Sequence, residues 1–503
     1  MRFPRSSGII LHPTSLPGRH GVGDLGADAH RFVDFLADSR LGLWQVLPLG
    51  PTGYGDSPYQ SLSTFAGNPV LISPDALVAD GLLTAGEVRT PPPMPADHVD
   101  FGAAIAWKRS LLEQAARRFP GQAVSGLAGL FETFAREHAG WLDDYALFMA
   151  LKDAHPGAEW SDWPEEVALR TPAGLEAWGR RLAEPVRVHK VIQFLFYRQW
   201  LALRRHAASR GVRLIGDVPI FAAYDSADVW SHPDLFFLDD HGKPTVVAGV
   251  PPDVFTATGQ LWGNPLYRWD AMAQQGYGWW IDRVRTALTL VDILRIDHFI
   301  GFVRYWEVAA SASTAAAGRF RPGPGAALGL ALESALGELP IIAEDLGLVI
   351  PEVEALRDRF GLPGMKVLQF AFGGDASNPY LPHHHTPQCV VYTGTHDNDT
   401  TVGWFAAAPA DVRVFVQRYL ARHGDDIAYD FIRMAMSSVA DTAIIPLQDV
   451  LALGSEARMN VPGRPVGNWA WRFSWDMLGE AQANRLRGMA EVYGRVPTVS
   501  AGG

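Results

Sequence analysis

Three runs of this sequence close apolar segments with acids, and carboxylates held in unlike surroundings can divide nucleophile and proton-transfer work between them. The first is Ile293-Leu294-Arg295-Ile296-Asp297-His298-Phe299. If extended, it sets Arg295 and Asp297 on one face and turns Ile296 to the other. The guanidinium then keeps the acid ionised, as a carboxylate attacking an anomeric carbon must be. A buried ion pair that only fixes packing is the competing reading. The second run is Ile341-Ile342-Ala343-Glu344-Asp345-Leu346-Gly347. Burial behind an apolar run raises a carboxyl pKa and suits a general acid. Locally, either Glu344 or Asp345 fills that role while the other bonds nearby backbone. The third run, Thr395-His396-Asp397-Asn398-Asp399, offers His396 and Asp397 to sugar hydroxyls. A cation site or a plain turn would use the same residues, but no regular ligand spacing supports a metal. His383-His384-His385, between Pro382 and Pro387, reads as an exposed, solvated loop rather than a metal cluster.

Acids so far apart in sequence need a scaffold that gathers them. Short apolar runs bounded by turn residues recur at Gly8–Leu11, Leu43–Leu49, Arg213–Val218, Asp292–Phe299, Pro340–Leu346, Met365–Phe370, Cys389–Thr393 and Thr442–Leu447. Segments of helical period lie between most of them, such as Ala29–Ser39, Trp279–Leu290, Gly325–Leu336 and Pro351–Phe360. Near-continuous apolar strands alternating with helices indicate a parallel sheet covered on both faces. Eight units favour a closed (β/α)₈ TIM barrel, an α/β fold whose chemistry sits at the C-terminal strand ends. No Gly-rich dinucleotide fingerprint follows the first run, which weighs against an open dinucleotide-binding sheet.

From Pro51 to Gly211 no strong strand is evident, while Trp107–Phe119, Phe131–Lys152 and Pro185–Ser209 look helical. We therefore expect one catalytic domain over 1–503 with a helix-rich insertion, 70–210, after the second strand. Beyond Leu451 there is chain for a loop and a closing helix, and no C-terminal β-domain is expected.

Bulk properties narrow the function. A formal net charge of −11 argues against general nucleic-acid binding, which needs clustered Lys and Arg. No run of eighteen apolar residues appears, so no membrane span is expected. No secretion signal is expected at the N-terminus, and the single cysteine, Cys389, excludes an intrachain disulfide framework; both lead us to expect a cytoplasmic protein. The 17 tryptophans are either core or flat platforms for sugar faces.

The chain resembles the amylomaltases, the 4-α-glucanotransferases of glycoside hydrolase family 77. Gly8–Gly26, Gly53–Pro69, Pro251–Trp269 and Asn460–Trp471 are similar to that family's opening, second-strand loop, long active-site loop and second cleft loop. ILRIDHF, IIAEDLG and THDND, in this order, are the most specific part. The resemblance implies that Asp297 is the nucleophile, Glu344 the general acid/base and Asp397 a third acid holding sugar hydroxyls. It also implies that Arg295 positions the nucleophile and that His396 bonds the same sugar. Tyr59, Asp217 and His298 would be further cleft residues, Trp262 an aromatic over the bound glucan, and Tyr54 part of a secondary glucan groove. The implied partners are α-1,4-glucans with glucose or maltooligosaccharide as acceptor, and no cofactor or metal is needed. A retaining pair should hold its carboxyls about 5–5.5 Å apart. A retaining hydrolase would use the same acids, a glucan-binding scaffold would not need all three, and a phosphosugar barrel would need a Gly-rich phosphate loop that Thr393-Gly394-Thr395 does not supply.

Overall fold

The computed structural model describes residues 2–122, 126–252, 257–347, 350–464 and 466–497. In chain order its strands are β1 (Ser6–Ile10), β2 (Leu43–Gln45), β3 (Arg213–Pro219), β4 (Val246–Val250), β5 (Gln260–Pro265) and β6 (Ile293–Asp297). There follow β7 (Arg304–Ala309), β8 (Arg319–Pro322), β9 (Ile341–Ala343), β10 (Gly364–Val367), β11 (Cys389–Tyr392) and β12 (Thr442–Pro446). Eight are parallel, in the order β10-β11-β12-β1-β2-β3-β6-β9. They are the eight apolar runs expected from the sequence, with their ends adjusted by up to four residues. Their apolar continuity has a plain cause: every residue of β1, β11 and β12 is buried, because helices cover one face and the barrel interior the other.

The ring closes where β9 meets β10. The Ala343 N–H donates to Pro363 O at 3.0 Å. Beyond it the Asp345 carboxylate stands in for a strand, accepting from the Met365 N–H at 2.8 Å and pairing with Arg357 at 2.6 Å. Gly364 is needed here, since a Cβ would run into that carboxylate.

Outside the ring, the helix Ala27–Asp38 buries Ala29, Phe32, Val33 and Leu36 as one stripe. Between β2 and β3 come the helices Pro74–Ala79, Phe101–Gln122, Leu127–Glu137, Ala139–Ala154, Pro172–Arg181 and Ala183–Ser209, with shorter turns. Phe131–Lys152, expected as one helical stretch, is interrupted at His138, whose backbone (φ −106°, ψ 8°) leaves the helical range. The helix Ala183–Ser209 packs against Ala27–Asp38, Gly278–Leu290 and β3 as well as against Phe101–Gln122 and Ala139–Ala154. It is at once a barrel helix and the anchor of the inserted ones.

An element the sequence did not lead us to expect is a four-stranded antiparallel sheet, β5-β4-β7-β8. It packs on its own small cluster of Val247, Val308 and Ala315, and β5 carries Trp262. Residues 253–256 of the expected long loop Pro251–Trp269 lie outside the described residues. Among the described residues no helix is long and apolar enough to cross a membrane.

Candidate active site

Register places the central ion pair. β3 and β6 run side by side with Asp217 opposite Arg295 and Pro219 opposite Asp297. Arg295 and Asp297 share a face, so the guanidinium lies between two acids: Nη1 is 2.6 Å from Asp217 Oδ2 and Nη2 is 2.9 Å from Asp297 Oδ1. Burial alone would lower the Arg295 pKa, but Asp217 and then Asp297 outweigh it and hold the cation charged. Asp217 is fully enclosed, and burial pushes its pKa up against the pull of Arg295. Its Oδ2 also accepts from the Tyr59 hydroxyl at 2.8 Å, while Oδ1 has no partner among the described residues.

Glu344 follows β9, next to β6. The expected fourth strand would have continued to Phe299, but His298 takes a left-handed conformation (φ 54°, ψ 47°) and ends it. That turn aims the His298 N–H at Glu344 Oε2, 2.6 Å away, and the Leu346 N–H reaches Oε1 at 2.9 Å. Both bonds favour the carboxylate. Burial and the neighbouring Asp297 charge nevertheless push the Glu344 pKa up to about 8. Asp345 points elsewhere, into the barrel seam already described.

The loop after β11 presents His396 and Asp397. Asp397 Oδ1 accepts from Asn460 Nδ2 at 2.6 Å, and its backbone carbonyl accepts from Arg458 Nη2 at 2.7 Å. His396 Nε2 lies 3.4 Å from Asp397 Oδ2. The His396 ring stacks on Tyr59 (centroids 5.2 Å apart, planes at 15°), with Trp469 at 5.9 Å. Trp262 packs edge-on to His298 at 4.8 Å.

These groups form a groove of about 280 Å³ that includes Asp297, Asp397, His396, Tyr59, Trp262 and Trp469 along its walls. Glu344 and His298, half-buried, and Arg295 and Asp217, buried, are not among its lining residues. Tyr54 is outside it, 78% exposed at the tip of the hairpin whose other side carries Tyr59. Asn460, Trp469, Gln60, Gln260 and Phe221 also line the groove without having been singled out as site residues; the aromatic and amide content of Asn460–Trp471 was the available signal. Among the described residues no group of three or more His, Cys, Asp or Glu could hold a metal ion. The histidine run departs from its expected solvation at one position. His385 is buried, its ring nitrogens 2.9 Å from Ser438 Oγ and Tyr380 O, whereas His383 and His384 are exposed.

A closed parallel barrel with carboxylates on neighbouring strand ends, set in a groove of aromatic rings and amides, has the architecture of a carbohydrate-active enzyme. Comparison with known proteins makes this specific. The model of glycoside hydrolase family 77, described as 4-alpha-glucanotransferase, matches residues 11–477, and the chain belongs to that family. It is 52% identical over 504 residues to the 4-alpha-glucanotransferase of Thermus thermophilus, covering 99% of this chain and 100% of that one. The Synechocystis 4-alpha-glucanotransferase is 50% identical over 495 residues, 98% of each chain. Among solved structures, an amylomaltase from Streptococcus agalactiae in complex with acarbose superposes with a TM-score of 0.94 at 36% identity, covering 98% of this chain and 100% of that one. The chain thus has 4-α-glucanotransferase activity, transferring glucan segments.

Proposed function

We propose that transfer proceeds by double displacement with retention, Asp297 acting as nucleophile and Glu344 as general acid and then base. The observation that carries this reading is the divergence of two adjacent carboxyls: Asp297 is bonded to a buried guanidinium, while Glu344 is driven towards its neutral form. Asp297 attacks the anomeric carbon as Glu344 protonates the departing oxygen. The 4-hydroxyl of glucose or a maltooligosaccharide then loses its proton to Glu344 and attacks the glycosyl-enzyme. Asp397 and His396 hold hydroxyls of the reacting sugar, with Tyr59 beneath them, while Arg295 and Asp217 fix the nucleophile. Trp262, beside His298, covers the bound glucan and slows the entry of water. Tyr54 belongs to a secondary glucan groove.

Donors and acceptors are α-1,4-glucans, and the acarbose bound by the streptococcal relative supports that class. The carboxylates supply the proton and nucleophile chemistry, so no cofactor or metal enters. We place the protein in the cytoplasm as one catalytic domain, with 70–210 as its inserted helical part. The test is product analysis after incubation with maltotriose. Longer maltooligosaccharides plus glucose, lost in Asp297→Ala, are expected; shorter sugars alone, even at high acceptor concentration, would make the intermediate's partner water.

A further inference from the structure

The loop bearing His396 and Asp397 leaves the barrel at Thr393 and re-enters regular structure at Thr401, the first residue of the helix Thr401–Ala407. Both ends converge on one side chain. Asp449, in the single helical turn Leu447–Val450 just past β12, accepts from Thr393 Oγ1 at 2.5 Å. It also accepts from the Thr401 N–H and from Thr401 Oγ1, each at 2.7 Å. All three residues are wholly buried. An enclosed carboxylate is costly unless it accepts hydrogen bonds, and here three donors from the two ends of one loop bond it. Within the loop the bonds are local, as from the Thr395 N–H and hydroxyl to Asn398 Oδ1 at 2.9 Å each. From outside the loop, Gln369 Nε2, just past β10, donates to Asp399 O at 2.8 Å, Ser455 Oγ donates to Asp399 Oδ2 at 2.6 Å, and Arg458 and Asn460 hold Asp397. Those contacts touch the middle of the loop; Asp449, just past the neighbouring strand, ties its two ends to one group.

We infer that Asp449 is a positioning residue for the transfer reaction, setting the height and orientation of Asp397 and His396 over the groove by clamping both ends of their loop. This rests on the reading of Asp397 as the third acid. A displacement on the scale of one ångström in a group that bonds the reacting sugar costs about 10²-fold in rate. With its oxygen kept on the Thr401 N–H, the amide of Asp449→Asn turns its NH₂ to the Thr393 and Thr401 hydroxyls, which must both reverse from donors to acceptors. Its space requirement is unchanged.

The test compares Asp449→Asn, Asp397→Asn and the double variant, with maltotriose and with α-maltosyl fluoride as donors. Fluoride leaves with little need of the acid. A defect at the sugar-holding loop therefore persists in the first displacement with the fluoride donor, read as the initial burst of fluoride, whereas one acting through Glu344 is relieved in that step. The expected result for Asp449→Asn is a kcat about 10²-fold lower per folded molecule with either donor, and KM nearly unchanged. The double variant should be no slower than Asp397→Asn alone, because the two residues act through one group. If the defects instead multiply, or Asp449→Asn turns over at the wild-type rate while Asp397→Asn is inactive, the clamp is wrong and the third acid stands. An active Asp397→Asn overturns both. Should Asp449→Asn not fold, Thr401→Val and Thr393→Val each remove one hydroxyl donor; both must lower kcat, with neither defect adding to that of Asp397→Asn, or the inference fails.

Discussion

Glu344→Gln should abolish transfer from unactivated glucans and, at alkaline pH, make the protein more stable. The folded site raises the Glu344 pKa from 4.5 to about 8, by burial first and the Asp297 charge second. Between those two values the folded chain keeps a proton that the unfolded chain releases, so stability falls as pH rises and levels off above pH 8. With 1.36 kcal/mol per pH unit, the penalty is about 2 kcal/mol at pH 6 and about 5 kcal/mol at pH 9. Glutamine does not ionise and escapes this penalty. Its NH₂ must, however, face the N–H of either His298 or Leu346, at a cost of about 1–3 kcal/mol that does not vary with pH. The informative quantity is therefore the change in the mutant-minus-wild-type difference between the two pH values, about 3 kcal/mol in favour of the mutant at pH 9. Urea unfolding of both proteins at pH 6 and pH 9 measures it, and maltotriose disproportionation measures the loss of transfer. An identical stability difference at both pH values would refute the raised pKa and with it the argument for Glu344 as the acid.

The same raised pKa requires the kcat/KM for transfer to fall as pH rises through about 8, in a profile recorded with maltotriose. Arg295→Met leaves Asp217 and Asp297 facing each other without their shared cation; it should remove transfer and cost about 3–5 kcal/mol in urea unfolding. Trp262→Ala should raise the ratio of hydrolysis to transfer about tenfold, read as reducing-end release against ladder formation, a change of about 1.4 kcal/mol in relative barriers. Arg495→Met should cost at least about 3 kcal/mol in unfolding and leave activity per folded molecule unchanged, since the buried Arg495 guanidinium serves six backbone carbonyls far from the groove.

The barrel was legible because its strands are buried on both sides and so read as apolar runs ending at acids. That Arg295 and Asp297 share a face follows from period-two alternation, while their roles came from the family resemblance. The antiparallel sheet was not legible. Its strands hold Gly249, Gly263, Pro265 and Pro322, and they pair across long separations, as Val246 does with Ala309. Asp217 sits in an ordinary strand and was reached only through family resemblance, because its partner Arg295 lies 78 positions away. Asn460 and Trp469 act through tertiary contacts to Asp397, His396 and Tyr59 that no local pattern encodes. His385 was misread for a like reason: the groups that satisfy its buried ring include Ser438, 53 residues on.

The junction of β9 and β10 has a mechanical consequence. Elsewhere the barrel strands are laced by ladders, but among the described residues one backbone bond and one side chain, Asp345, span this gap. The rib that carries Glu344 is thus laced along one edge and pinned by a carboxylate at the other. Fluctuations of the ring should concentrate there, and the amide of Met365 should exchange with solvent sooner than that of Val391, which sits between laced neighbours. Such local compliance would let one proton-carrying group follow an oxygen that first departs and later arrives, while the nucleophile on the fully laced rib beside it stays still.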